Sequence, residues 1–231
     1  MRESLLLIAL LAFCAIAEEP VAANTTRVCL LTGFQPFGGA KINPSWETVK
    51  TFNGMILAGY RIVAVELPVV YDEIAEPLAK AIKANEPTLV ISFGLGGGIV
   101  SVETIARNGY HLNNPVDNKG NPPPRENILP DGPAQINTAL PADAIVKALK
   151  HAGIGAQSSI DAGGYLCNEC FYRLMNAGKD KDSGGENIAA RGFVHLPNFG
   201  DANPAGGEYT PETLKTVVKT VVEVTVRAIS R

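Results

Sequence analysis

Five short runs rich in Val, Ile and Leu recur along the chain, at 28–32, 61–67, 88–93, 154–160 and 189–195. Their length and β-branched content predict strands. Near-continuous apolarity, as in Leu89-Val90-Ile91, predicts strands covered on both faces, hence a largely parallel sheet. Between these runs the apolar spacing lengthens to that of helices. Asn43-Pro44-Ser45 precedes a helix over 46–52, with Pro44 near its first turn. Segment 72–84 carries Ile74, Leu78 and Ile82 at helical intervals, and Pro141 opens a helix with Ile145, Val146 and Leu149 on one face and Gly153 as its stop. A helix over 166–175 follows Gly163-Gly164. The last segment, opened by Thr210-Pro211-Glu212, is rich enough in valine for a strand, but the spacing of Leu214, Val217, Val218, Val221 and Val222 is helical. The alternation predicts a single α/β domain over 28–231, a three-layer sandwich with a mostly parallel sheet and helices on both faces. Residues 113–133 break the pattern with Pro115, Pro122, Pro123, Pro124, Pro130 and Pro133. So long a loop predicts a functional or assembly surface, here over the sheet edge near the site.

The N-terminus stands apart. Arg2, an apolar run over 5–15 and Ala15-Ile16-Ala17 before Glu18-Glu19 read as a signal peptide over 1–17, with a short linker over 18–27. The run is too short to span a bilayer, so the expectation is a soluble protein exported to the periplasm or secreted, with no membrane attachment after cleavage. Asn24-Thr25-Thr26 is a glycosylation sequon only in a host that glycosylates. With 46% hydrophobic and 19% charged residues the chain is too apolar for disorder, and a net charge of −3 offers no footprint for nucleic acid. Homo-oligomerisation is left open.

Cys167, in Ala162-Gly163-Gly164-Tyr165-Leu166-Cys167-Asn168, falls in the first turn of a predicted helix, a setting that favours thiolates. His195 closes an apolar run just before Pro197, at the C-terminal end of a predicted strand, where ligands of open α/β sheets collect. A thiol paired with an imidazole is an acyl-transfer nucleophile with its base. Glu103 reads either as a surface carboxylate or as the group that orients His195. Phe34 and Phe37, in Thr32-Gly33-Phe34-Gln35-Pro36-Phe37-Gly38-Gly39, read either as core plugs or as walls of an apolar pocket. No Gly-Lys-Ser/Thr follows that turn, and Gly94-Leu95-Gly96-Gly97-Gly98 would need glycine at Ile99 for a dinucleotide fingerprint. Its glycines read instead as a floor beneath a small ligand. Cys29, inside an apolar run, reads as core. Cys167-Asn168-Glu169-Cys170 has no second ligand pair for zinc, so neither metal nor cofactor is implied, but the spacing keeps a thiol–disulfide oxidoreductase as the alternative. His151 reads as a helix-end cation and His111 as a loop residue.

These motifs, in this order, resemble the pyroglutamyl peptidase I family of cysteine peptidases. The similarity includes Asn43-Pro44-Ser45-Trp46-Glu47 after the first turn, Glu103 with Ala106 and Asn108, Asp117-Asn118-Lys119-Gly120, Asp131-Gly132-Pro133, Leu140-Pro141, and the stretches ending in Cys167-Asn168 and His195-Leu196-Pro197. It runs from about Val28 to the C-terminal helix. The resemblance implies a Glu103–Cys167–His195 triad and removal of N-terminal pyroglutamate from small peptides. It also implies substrate contacts at Phe34, Phe37, Leu95, Tyr165 and Leu166. Two positions depart from the family pattern: Leu95 stands where many bacterial members have glutamine, and Asn114 where a basic residue is common. A catalytically impaired lactam- or peptide-binding homologue is the remaining alternative.

Overall fold

A computed structural model of the chain describes residues 27–177 and 185–230. The predicted signal peptide, most of the linker after it and the sequon lie outside the described residues. In chain order the elements are β1 (Val28–Phe34), α1 (Pro44–Val49), β2 (Ile56–Leu57), β3 (Tyr60–Leu67), α2 (Ala75–Asn85), β4 (Leu89–Leu95), β5 (Val100–Glu103), β6 (Ile105–Arg107), β7 (Gln135–Asn137), α3 (Ala142–His151), β8 (Ala156–Ser159), α4 (Leu166–Ala177), β9 (Ala190–Leu196) and α5 (Pro211–Ile229). A seven-stranded sheet has the order β2-β3-β1-β4-β9-β5-β8, and β6 pairs with β7 in a small separate ribbon.

The four central strands, β3, β1, β4 and β9, run parallel, whereas β5 lies antiparallel to β9 and β8 follows β5 in parallel. Side chains alternate across the sheet as the pleat requires. Cys29, Leu31, Leu89, Ile91, Val100 and Val102 enter one core layer with α1, α3 and α5. Leu30, Phe34, Val90 and Phe193 enter the other, beneath α2 and α4. The expected three-layer α/β architecture is the observed one.

Local chemistry explains the boundaries. The Asn43 side chain caps α1 by accepting from Ser45 N at 3.1 Å, and Ser45 Oγ accepts from Phe34 N at 3.0 Å, which ties the helix start to the end of β1. Thr210 caps α5 by accepting from Thr213 N, with Pro211 in the first turn. The valines of α5 therefore sit on a helix, with Leu214, Val217, Val218, Val221 and Val222 fully buried. The helix predicted from 72 starts only at Ala75, because Asp72 takes a left-handed φ of 61°. The strands within 100–107 and at 135–137 were not expected, because they are too short, and β6 and β7 too polar, to stand out as apolar runs. No helix among the described residues is long and apolar enough to cross a membrane.

Candidate active site

The site forms at the C-terminal ends of β1, β4 and β9, against the start of α4. On β4, Val90, Ser92 and Gly94 share the face under α4 by strand parity. Ser92 Oγ accepts from Thr32 Oγ1 at 2.8 Å and from Cys170 Sγ at 3.5 Å, and one turn earlier on α4 Cys167 stands over Gly94. A Cβ at position 94 would lie 2.7 Å from Cys167 Sγ, and one at position 96 would lie 2.7 Å from His195 Cβ. Gly94 and Gly96 therefore make room for the protein's own thiol and imidazole, where the sequence suggested a floor beneath a small ligand.

β5 brings Glu103 to this place. Val100 and Val102 face the α3 and α5 layer, so Ser101 and Glu103 face α4. The antiparallel register sets Ser101 opposite His195 and Glu103 opposite Phe193. From that diagonal position Glu103 Oε1 reaches His195 Nδ1 at 2.8 Å. Glu103 is 1% exposed, so it is no surface carboxylate, and its Oε2 is buried without a hydrogen-bond partner among the described residues. Cys167 and His195 line the same cavity, and Phe193 meets the ring edge-on at 5.0 Å. Burial alone penalises a charged imidazole, but Cys167 and Glu103 outweigh it and push the His195 pKa up to about 10. A carboxylate, an imidazolium and a thiol so aligned can generate a nucleophile and then donate the stored proton. Cys167 is the second residue of α4, so its backbone N–H is among the first four, which have no intrahelical acceptor and suit an oxyanion.

Beside the thiol lies a cavity of about 170 Å³ whose lining includes all five residues assigned to substrate contact, Phe34, Phe37, Leu95, Tyr165 and Leu166. Phe34 is nearly buried and its ring lies 6.4 Å from that of Phe193, so it is wall and core plug at once. Phe37 is half-buried, 6.3 Å from the Tyr165 ring. The sequence reading missed Asn43, Val69 and Ala162, which also line the cavity. Val69 had a usable signal, since it follows β3 at the same sheet edge.

Two residues after Cys167 hold its helix in place. Asn168, fully buried, accepts from Arg107 N at 3.1 Å and donates to the carbonyls of Arg107 and Gly109 at 2.9 Å. Glu169, also fully buried, accepts from Arg173 Nε at 2.7 Å and from Asp72 N at 3.2 Å, and Asp72 in turn grips Arg125 and Arg173. The long loop joins the same edge, as expected: Asp117 Oδ2 accepts from Tyr71 N, Asn118 Nδ2 donates to the Pro36 carbonyl and Tyr165 OH donates to that of Val116. Burial raises the Glu169 pKa and Arg173 opposes that shift. Arg173→Met is therefore expected to cost about 3 kcal/mol in a urea unfolding titration, because it leaves a buried carboxylate without its cation. An unchanged midpoint would show that the Asp72 N–H holds Glu169 without it.

The remaining candidates are not in the site. His151 ends α3, with Nδ1 2.7 Å from the Lys147 carbonyl oxygen, and Cys29 is a buried core thiol. The His111 ring packs on Gly164. Cys29, Cys167 and Cys170 are all free thiols. Cys170 is fully buried, and burial pushes its pKa up to about 12. A thiol so placed is a poor partner for exchange, which counts against the oxidoreductase alternative. No cluster of His, Cys, Asp or Glu among the described residues has a metal-binding arrangement.

Known proteins resemble the chain closely. Residues 27–231 match the family model for pyroglutamyl peptidase. The pyrrolidone-carboxylate peptidase of Escherichia fergusonii is 37% identical over 201 residues, 85% of this chain and 91% of that protein. That of Yersinia pestis is 40% identical over 173 residues, 74% of this chain and 78% of that protein. Among solved structures, pyroglutamyl peptidase I from Bacillus amyloliquefaciens superimposes with a TM-score of 0.78 at 34% identity, covering 87% of this chain and 95% of that one. Pyrrolidone carboxyl peptidase from Thermococcus litoralis gives a TM-score of 0.79 at 28% identity, covering 88% and 95%. With the family model spanning the whole described region, the chain belongs to the pyroglutamyl peptidase family of cysteine peptidases.

Proposed function

We propose that this protein removes N-terminal pyroglutamyl residues from peptides, with Cys167 as nucleophile, His195 as acid and base, and Glu103 as the residue that orients the ring. The observation that carries the reading is the carboxylate–imidazole–thiol line at the edge of a small apolar cavity. The Cys167 thiolate attacks the pyroglutamyl carbonyl carbon while α4's free N–H groups hold the oxyanion. The His195 imidazolium then protonates the departing amine, leaving a thioester. As neutral imidazole it next takes a proton from water, which attacks the thioester and releases pyroglutamate and the thiolate.

The cavity walls suit a flat, uncharged lactam. A free α-ammonium group there would lie buried without a partner, at a cost of several kcal/mol. Hydrolysis of pyroglutamyl-2-naphthylamide against prolyl- and glutamyl-naphthylamide tests the reading; equal rates on the charged amines would overturn it. Phe37→Ala is expected to raise KM about tenfold with little change in melting temperature. Phe34→Ala, losing a ring from the core as well, should also cost about 3–5 kcal/mol of stability. A KM unchanged in both variants would reduce the rings to packing.

The imidazolium form carries the reaction forward. Because the folded pKa is raised to about 10 from an ordinary 6.5, the ring stays charged through neutral pH. Its contribution to stability, complete below the ordinary value, is lost only as pH rises through the raised one. The pH profile of kcat/KM should accordingly hold into the alkaline range and fall near pH 10. Glu103→Gln removes one of the charges that sustain the shift and should move that limb to lower pH; an unmoved limb would remove Glu103 from its assigned role.

Export belongs to the same reading. Arg2, the apolar run after it and Ala15-Ile16-Ala17 support cleavage after Ala17. N-terminal sequencing of the protein from the extracellular or periplasmic fraction should begin at Glu18.

A further inference from the structure

Three residues other than glycine take a left-handed φ among the described residues: Ala58, Asp72 and Glu86. Ala58 lies in the tight turn between β2 and β3, and Glu86 caps the end of α2, both ordinary places for that conformation. Asp72 is in neither. It stands in the turn between β3 and α2, where a strained backbone persists only if its surroundings hold it.

Those surroundings are charged. The Asp72 carboxylate takes both arms of the Arg125 guanidinium, each at 2.6 Å, and Arg173 Nη2 at 2.7 Å. Its own N–H donates to Glu169 Oε1 at 3.2 Å, and Arg173 Nε donates to the same oxygen at 2.7 Å. Two carboxylates and two guanidiniums thus form one balanced network across three segments: the turn, the long loop and α4. An isolated exposed ion pair holds little, but a bidentate fork joined to a network is the exception. Here Glu169 is fully buried and Arg173 only 14% exposed.

The turn so fixed builds the cavity. Val69, three residues before Asp72, lines it. The buried Tyr71 ring stands edge-on to Tyr165 of the same lining at 5.4 Å and to Tyr110 at 5.3 Å. The reacting groups are held elsewhere: Glu103 and His195 belong to β5 and β9, and Asn168 anchors the start of α4 through three hydrogen bonds. We infer that Asp72 is a positioning residue for the ring-binding wall: paired with Arg125 and Arg173, it holds Val69 and Tyr71 so that, with Tyr165, they close on the pyroglutamyl ring.

This role presupposes the peptidase reading, and the measurements keep the two apart. Asp72→Asn keeps the N–H to Glu169 and a side chain that tolerates the left-handed region, and removes only the charge. Arg125→Met removes the partner on the loop. Each should raise KM for pyroglutamyl-2-naphthylamide about fivefold with kcat within about twofold, the mark of lost binding rather than lost chemistry. Because the two share one interaction, the double variant should be no worse than either. Melting temperatures should move little, since both side chains are more than a third exposed. The rate at which iodoacetamide alkylates Cys167 should stay that of the wild type, while protection of the thiol by the bare lactam 2-pyrrolidinone weakens as KM rises. An unchanged KM in both single variants overturns the assignment, as does a multiplied effect in the double variant. A fall in kcat or in alkylation rate overturns it in favour of a role in placing α4, and a lowered melting temperature with unchanged KM in favour of a structural one. If the wild-type protein does not cleave the naphthylamide, the peptidase reading fails, and protection by the lactam still decides the role of Asp72.

Discussion

Alanine at Cys167 or at His195 is expected to abolish pyroglutamyl-naphthylamide hydrolysis, each by about 10⁴-fold or more, with the double variant scarcely worse than either alone. Non-additivity is the signature, because thiol and ring act as one unit: the ring holds the proton that the thiol has lost and later returns it to the amine. The two variants should differ in stability. Cys167 is half-buried, and its loss leaves Glu103 still paired with the His195 ring. His195→Ala instead leaves Glu103, 1% exposed, with neither oxygen partnered. Burying an unpaired carboxylate costs several kcal/mol, so His195→Ala should melt lower than Cys167→Ala at neutral pH. Near-wild-type turnover in either variant would sink the assigned chemistry, and equal melting temperatures would show that Glu103 finds another partner.

The second large effect comes from a methyl group. Gly96→Ala would set a Cβ 2.7 Å from His195 Cβ and 2.8 Å from its Cγ, and Gly94→Ala one 2.7 Å from Cys167 Sγ and from Phe193 Cζ. Neither neighbour is the free end of a flexible chain. The ring or the thiol must move by a sizeable part of an ångström, and a misplacement of about 1 Å at a reacting group costs about 10²-fold in rate. Overpacking should destabilise the fold by only about 1–3 kcal/mol, so kcat should fall far more than stability does. Gly97→Ala is the control: a Cβ there meets nothing within 4 Å. Equal kinetics in all three variants would mean that the site relaxes freely around an added methyl group.

Much of this arrangement was legible in one dimension, where the governing physics is local. The apolar runs of β1, β3, β4 and β9 announced a buried parallel sheet, and capping chemistry at Asn43 and Thr210 marked two helix starts. Thr210-Pro211 and the spacing from Leu214 to Val222 decided α5 as a helix against the strand preference of its valines. Cys167 at a helix start and His195 at a strand end were recognisable by residue type and by position relative to those elements. Glu103 was not. Its own segment left it open between surface and site, and only the family resemblance gave it a role.

What decided Glu103 is a strand direction. Strand β5 has four residues and no helical crossover before it, so it turns back beside β9 antiparallel, and that register delivers the carboxylate to the ring. Pairing of this kind joins residues far apart in the chain and leaves no periodic trace in either segment. The same holds for Gly94 and Gly96, whose missing side chains signify only once α4 and β9 are packed above them, and for Val69, which enters the cavity because the sheet order brings the end of β3 beside that of β1. The main strands and helices and the reactive groups are legible in the chain, because caps, periodicity and side-chain chemistry act over a few residues. The tertiary structure alone decided which groups meet, because strand order and direction are settled by long-range pairing and the close packing of helices on the sheet.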